Sequence, residues 1–295
     1  MPEQLAFTIE VFMNGLMAGV LYALVALGFV LIYKASGIFN YAQGVMALFA
    51  ALTLVGIMDG QVPFSHLINA ILGTEVHHFG WHVPAFLAIV LTMIVMIVLA
   101  YCVQRFVFRY LVGQEPIILF MATIGLAYFL EGVGDLMWGS EIKTLDVGLP
   151  QGINVWIDEF TFEATGYGFF IDNLDIVASI VAAILVIGLV MFAQYTKQGR
   201  AMRAVADDHQ AALSVGVSLN FIWILVWSLA GFVALVAGIM WGAKSGVQFS
   251  LSLIALKALP VLMLGGFTSI PGAIVGGLII GVGEKLFEFL IGAPF

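Results

Sequence analysis

Residues Val11–Tyr33 read VFMNGLMAGVLYALVALGFVLIY, a run without a single Asp, Glu, Lys or Arg. At a rise of about 1.5 Å per residue, a helix over such a run crosses the roughly 30 Å hydrocarbon core of a bilayer. The same reading applies at Tyr41–Met58, Pro84–Gln104, Ile117–Met137, Leu174–Gln194, Phe221–Trp241, Leu253–Ile270 and Gly272–Ile291. The second and seventh of these windows have the alternative of re-entering the membrane instead of crossing it. The expected fold is therefore an all-α integral membrane bundle. It has about eight transmembrane helices, some broken or re-entrant, in one domain over residues 1–295.

Composition agrees. Hydrophobic residues make up 62% of the 295 and charged residues 9%, with a mean hydropathy of +1.12. A water-facing surface needs roughly 25% charged residues, so most of this surface faces lipid. The formal charge of −8 excludes a nucleic-acid partner, which requires a basic face. Cys102 is the single cysteine, so no disulfide forms within one chain.

Basic residues set the expected orientation. With the N-terminus outside, Lys34, Arg105, Arg109, Lys197, Arg200 and Arg203 fall on the cytoplasmic side, against Lys143, Lys244 and Lys285 outside. Eight spans put the C-terminus outside as well. The outer loop 138–173 carries Glu141, Asp146, Asp158, Glu159, Glu163 and Asp172. Its β-branched and aromatic alternation at 153–157 and 160–163 predicts a small extracytoplasmic hairpin.

Gly238–Ser245 resembles a phosphate-binding loop, but Ala243 stands where the motif requires Gly before Lys244, and the segment ends an apolar helix. Nucleotide binding is excluded on that ground, and no cofactor or enzymatic activity is expected. His77, His78 and His82 are close enough in sequence to share a metal, but no Cys accompanies them. They read as a solvated loop beside Phe79 and Trp81. Glu131 and Lys257 are charges inside apolar windows, at a cost of about 2.5 kcal/mol or more near a helix centre. They read as interfacial residues rather than a proton-coupling pair.

Two stretches interrupt the apolar pattern. In Tyr33–Gly44, the residues Gly37, Asn40, Gln43 and Gly44 bring small and amide side chains between two spans. A break there needs a protein or watery environment for its backbone. It reads either as a pathway-lining element or as an ordinary turn. The second stretch, 197–220, is a helix-forming segment with Arg200 and Arg203 at one end and Asp207 and Asp208 in the middle. Ala204, Ala211 and Leu213 form its apolar stripe, with Val205 and Val215 nearby. It reads either as a docking surface for a soluble partner or as a short connecting helix lying on the membrane.

Three stretches in order resemble the branched-chain amino acid family of ABC-transporter permeases, whose members also include urea and short-amide carriers. Gly37–Gly44, GIFNYAQG, is similar to the family's Gly-x-x-Asn-Phe-Ala-His-Gly, with Gln43 in place of His. Gly199–Asp208, GRAMRAVADD, followed by Ala211 and Gly216, is similar to its cytoplasmic coupling loop. Gly265–Gly277, GGFTSIPGAIVGG, with Glu284, is similar to its glycine-rich signature, with Thr268 in place of Gly. The resemblance implies a substrate pathway at Gly37, Asn40, Gln43, Gly44, Gly265, Gly266, Ser269, Pro271 and Gly272. It implies coupling to ATPases through Gly199, Arg200, Arg203, Ala204, Asp207, Asp208, Ala211 and Gly216. The implied partners are a second homologous permease subunit, two ATP-binding subunits and an extracytoplasmic solute-binding protein, in the lipid bilayer of a bacterial or archaeal plasma membrane. The rival classes are a secondary transporter or channel working alone, and a structural anchor.

Overall fold

The computed structural model describes residues 2–73, 80–111 and 113–292. Five helices are long and apolar enough to cross a membrane unaided: α1 (Pro2–Ser36), α4 (Ala85–Phe106), α5 (Pro116–Trp138), α7 (Asn173–Tyr195) and α10 (Leu219–Ser245). A sixth span is reached only by taking α11 (Ile254–Gly265) and α12 (Ile270–Gly292) together, and these are bent by 115° at their junction. The described residues thus give fewer than the eight spans expected. The physical reason lies in two windows. α2 (Gln43–Met58) has 16 residues and α11 has 12 with Pro260 inside, about 24 and 18 Å of helix, too short for the hydrocarbon core.

α2 is the centre of the bundle. Every residue from Gln43 to Gly56 is buried, and α10, α4, α5 and the short 3-10 turn Phe249–Leu253 surround it. A helix apolar on all sides belongs in such a position. α1 and α10 are also interior, with 78% and 67% of their most apolar windows buried, against 28%, 33% and 22% for α4, α5 and α7. The latter three present Ile94, Val98, Tyr128, Ile184 and similar side chains outward, as a lipid-facing surface requires.

Small residues set the closest helix crossing. A Cβ on Gly15 would lie 2.7 Å from Val282 Cα, and one on Gly19 would lie 2.8 Å from Leu278 Cα. Opposite them, a Cβ on Gly277 would lie 2.6 Å from Gly19 O, and Gly281 faces Gly15 and Gly19. Glycines four apart on α1 meet glycines four apart on α12, so the backbones touch. That is the packing available where lipid removes the hydrophobic drive between helices.

The expected hairpin at 153–163 is absent; the segment is helix α6 (Val155–Thr165). Asn154 caps it, its side chain accepting from Ile157 N at 3.0 Å, and Gly166 ends it at φ +76°. The aromatic alternation is equally legible as a helix, and the Asn and Gly at its ends decide the matter. The loop before α4 holds the short helix α3 (Ser65–Leu72). His77 and His78 lie outside the described residues, among which no group of His, Cys, Asp and Glu is placed to hold a metal.

Candidate functional site

The break after α1 is built by protein groups. Gly37 at φ +67° ends α1, with its N–H on Tyr33 O at 2.8 Å. Asn40 and Gln43 are buried at 0% and 1% exposure. Asn40 Oδ1 accepts from Ala42 N at 3.2 Å, and its Nδ2 donates to Gln43 Oε1 at 3.2 Å. Gln43 Nε2 donates to Ala230 O on α10 at 3.3 Å. A Cβ on Gly28 would collide with the Gln43 side chain, so this glycine lets the amide lie against α1. The exposed polar backbone of the break meets Thr123 on α5. Its hydroxyl oxygen accepts from Tyr41 N at 3.1 Å and lies 3.1 Å from Phe39 O. Both amides are thus bonded to protein, and Thr123 is the partner that sequence reading missed. A Thr inside an apolar helix is unremarkable until the break is packed against it.

The second glycine-rich element is the turn between α11 and α12. Gly265 and Gly272 face each other so closely that a Cβ on either would enter the other's backbone. Gly266 takes φ +88°. Ser269 is the N-cap of α12, its Oγ accepting from Gly272 N at 3.0 Å, and Pro271 occupies the first turn, where its missing N–H costs nothing. Phe267 in this turn packs on Tyr33 and Phe39, with ring centroids 5.2 and 6.0 Å away. The two glycine-rich motifs, distant in sequence, therefore meet. Gly44 completes the contact at the other end of α11, a Cβ there lying 2.6 Å from Ala255 Cβ.

At the end of the bundle that carries Lys34, α8 (Lys197–Asp207) and α9 (His209–Ser214) lie across the helix ends. Gly199, Met202 and Val205 are buried against the bundle. Gly199 sits on the last carbonyls of α7, where a Cβ would lie 2.6 Å from Ala193 O. Thr196 caps α8, accepting from Gly199 N at 2.9 Å, and Asp208 caps α9, accepting from Gln210 N at 2.8 Å and Ala211 N at 3.0 Å. Arg200, Arg203, Ala204, Asp207, Asp208, Ala211 and Gly216 are exposed on the outer side, with Leu213 and Val215 beside them. Val205 is 0% exposed, so it belongs to the anchoring face and not to the outward stripe.

The sequence reading took Glu131 and Lys257 as interfacial charges and named no partner for either. Glu131 is half-buried on α5. Lys257 is paired with Glu284 of α12, Nζ to Oε1 at 2.8 Å. Asp175 on α7 pairs with Lys244 on α10 at 2.5 Å. At that same end Lys143 is held by Gln61 Oε1 at 2.5 Å and Trp138 O at 2.7 Å, beside an open cavity of about 550 Å³ that Asp135 and Glu141 also line. Burial pushes the Lys143 ammonium below the usual lysine range, against the opposing pull of Asp59 and Glu141.

Comparison with known proteins gives a consistent result. The family described as branched-chain amino acid transport system / permease component matches residues 11–294. The chain is 28% identical to the high-affinity branched-chain amino acid transport system permease protein LivH of Escherichia coli strain K12, over 97% of this chain and 88% of that one. It is 30% identical to the corresponding permease protein BraD of Pseudomonas aeruginosa, over 100% and 91%. A more distant match, at 23% identity over 79% and 68%, is the fructose import permease protein FruG of Bifidobacterium longum. No solved structure matches the chain at a significant level.

Proposed function

This chain belongs to the branched-chain amino acid transport permease family, a family of multi-pass membrane proteins, and from that premise we propose that it is one of two permease subunits enclosing the pathway of an ABC importer. Its cargo is a branched-chain or other small neutral amino acid; urea and short amides are the alternative within the same fold. The observation that carries the reading is the two-sided α8. One face is anchored through Gly199, Met202 and Val205, and the other presents Arg200, Arg203, Ala204 and Asp207 to the outside, the two guanidinium groups reaching back to Tyr195 O and Gln194 O of α7 at 3.5 Å. By the bias of basic residues this end is cytoplasmic. Separate ATPase subunits dock there, and their closure moves α8 together with the ends of α1 and α7.

The glycine-rich elements then serve the pathway by position. The 37–44 break and the 265–272 turn meet through Phe267, Tyr33 and Phe39, so movement of one displaces the other. Asn40 and Gln43 hold the break, their hydrogen bonds being spent on protein, and act on the solute only through the shape they maintain. A solute-binding protein delivers cargo at the opposite, acidic end, where complementary charge sets encounter rate and register.

Purification from native membranes tests this. ATPase subunits and a second permease are expected to co-purify. Proteoliposomes holding the complex are expected to import leucine or valine in preference to urea, acetamide or fructose, and only with ATP. Solute uptake by the isolated chain, without ATP, would instead favour the stand-alone transporter.

A further inference from the structure

Lys257, Glu284 and Tyr22 form a polar triad at mid-height of the bundle, with Tyr22 buried and the ion pair at its surface. Tyr22 is at the middle of α1, about 20 Å of helix from Ser36 and about 30 Å from Pro2 at 1.5 Å per residue, which places it near the centre of a bilayer that the helix spans. Lys257 Nζ donates to Tyr22 OH at 3.1 Å and to Glu284 Oε1 at 2.8 Å, and it stands 5.3 Å from the Tyr22 ring centroid. Behind it, the Tyr22 ring stacks on Trp241 at 5.9 Å and 19°, and it is itself only 4% exposed. The ion pair is different: its side chains are 53% and 41% exposed. Glu284 lines a groove of about 820 Å³ whose walls include Pro260, Ile279, Ile280, Gly283 and Phe287, together with Lys285 and Glu288, which are paired with each other.

Charged groups within a membrane face a bundle interior or a water-filled cavity, because hydrocarbon does not solvate them. A half-exposed pair at this depth therefore marks the face of the chain that turns away from lipid. Its chemistry specifies what meets it there. The pair is neutral as a unit, so a lone cation or a lone anion meets one like charge, and a neutral polyol or amide brings no charge to either partner. A zwitterion answers both. Lys257 uses two of its three N–H donors and keeps one for a carboxylate, while Glu284 keeps lone pairs for an ammonium. The apolar wall of that groove, Pro260, Ile279, Ile280 and Phe287, receives an aliphatic side chain, a few polar groups fixing orientation and apolar area supplying affinity.

We propose that Lys257 and Glu284, backed by Tyr22 and Trp241, are a binding station for the zwitterionic head of an aliphatic α-amino acid on the pathway face of this permease. The proposal rests on the importer reading above and narrows its cargo. It excludes urea, short amides and sugars as the solutes for which this face is built.

Two measurements test it. In proteoliposomes of the complex, Glu284→Gln and Lys257→Met are expected to lower leucine transport by about 10- to 150-fold, the loss of one hydrogen bond to a charged group, while ATPase subunits co-purify at wild-type yield. Near-normal leucine transport in both variants would overturn the proposal. The second measurement uses the permease alone, so that it decides even where no ATPase is recovered and the importer reading fails. In a Cys102→Ala background, Gly283→Cys and, separately, Ile279→Cys, which line the groove and leave the pair intact, are treated with a water-soluble thiosulfonate. Reaction is expected at both sites, slowed by leucine and not by urea, acetamide, fructose, isovalerate or isoamylamine. Lack of reaction would place the pair against lipid, and equal protection by urea or acetamide would make the site a general polar one; either result refutes the assignment.

Discussion

Thr123→Val isolates the side chain on which the break between α1 and α2 depends. The substitution is nearly isosteric, so it opens no cavity at a position that is 0% exposed; it removes only the hydroxyl. Tyr41 N–H then loses its acceptor at 3.1 Å and keeps only the narrow three-residue turn contact to Phe39 O at 3.1 Å. Phe39 O loses its neighbour on α5 as well. A buried donor without its partner costs about 1–3 kcal/mol. The residual turn contact puts the expected loss at about 1–2 kcal/mol, a factor of about 5 to 30 in the unfolding equilibrium. The assay is SDS titration of the purified chain in mixed micelles, followed by helical circular dichroism. Thr123→Ser is the control, since it keeps the hydroxyl and loses the methyl. The reasoning is refuted if Thr123→Val unfolds within about 0.5 kcal/mol of wild type, the range of substitutions that touch no such feature, or if Thr123→Ser is the more damaging of the two.

Gly19→Leu is expected to cost about 1–3 kcal/mol by forcing α1 from α12, whereas Gly125→Leu, which has open space around its Cβ position, should be tolerated; equal midpoints in the same titration would contradict the close crossing. Ala204→Arg should weaken ATPase co-purification with folding unchanged, because Ala204 faces outward, whereas Gly199→Leu should do so by displacing α8 from the end of α7, visible as faster proteolysis at 197–208. Retention of the ATPase in both variants would remove α8 from the interface. For orientation, Asp158→Cys in a Cys102→Ala background is expected to react with an impermeant reagent from outside intact cells; labelling from the cytoplasmic side alone would invert the bundle.

Much of the fold was legible in the chain because its cause is local. A bilayer demands long, predominantly apolar runs whose backbone is satisfied within the segment, and the windows at 11–33, 84–104, 117–137, 174–194 and 221–241 each meet that demand from composition alone. The anchoring of α8 was half legible. The Arg, Ala and Asp pattern announced a helix outside the membrane, but which of Ala204 and Val205 turned outward depended on the bundle beneath. Tertiary structure alone decided the rest. α2 and α11 are as apolar as true spans, and hydropathy does not distinguish a neighbour of protein from a neighbour of lipid, so only packing shows that α2 is interior and that α11 is short and bent against α12. The hairpin expectation failed for a related reason: aromatic alternation is compatible with both periods, and the Asn154 cap and Gly166 had to be placed before the helix was evident. The pairing of Lys257 with Glu284, and the bond from Lys257 to Tyr22, joins α11 and α12 to α1 at the other end of the sequence. Each residue taken alone read as a snorkelling charge, part of a glycine-rich signature, or an ordinary aromatic; a long-range electrostatic contact has no local trace, because its energy depends on a distance that only the folded chain sets.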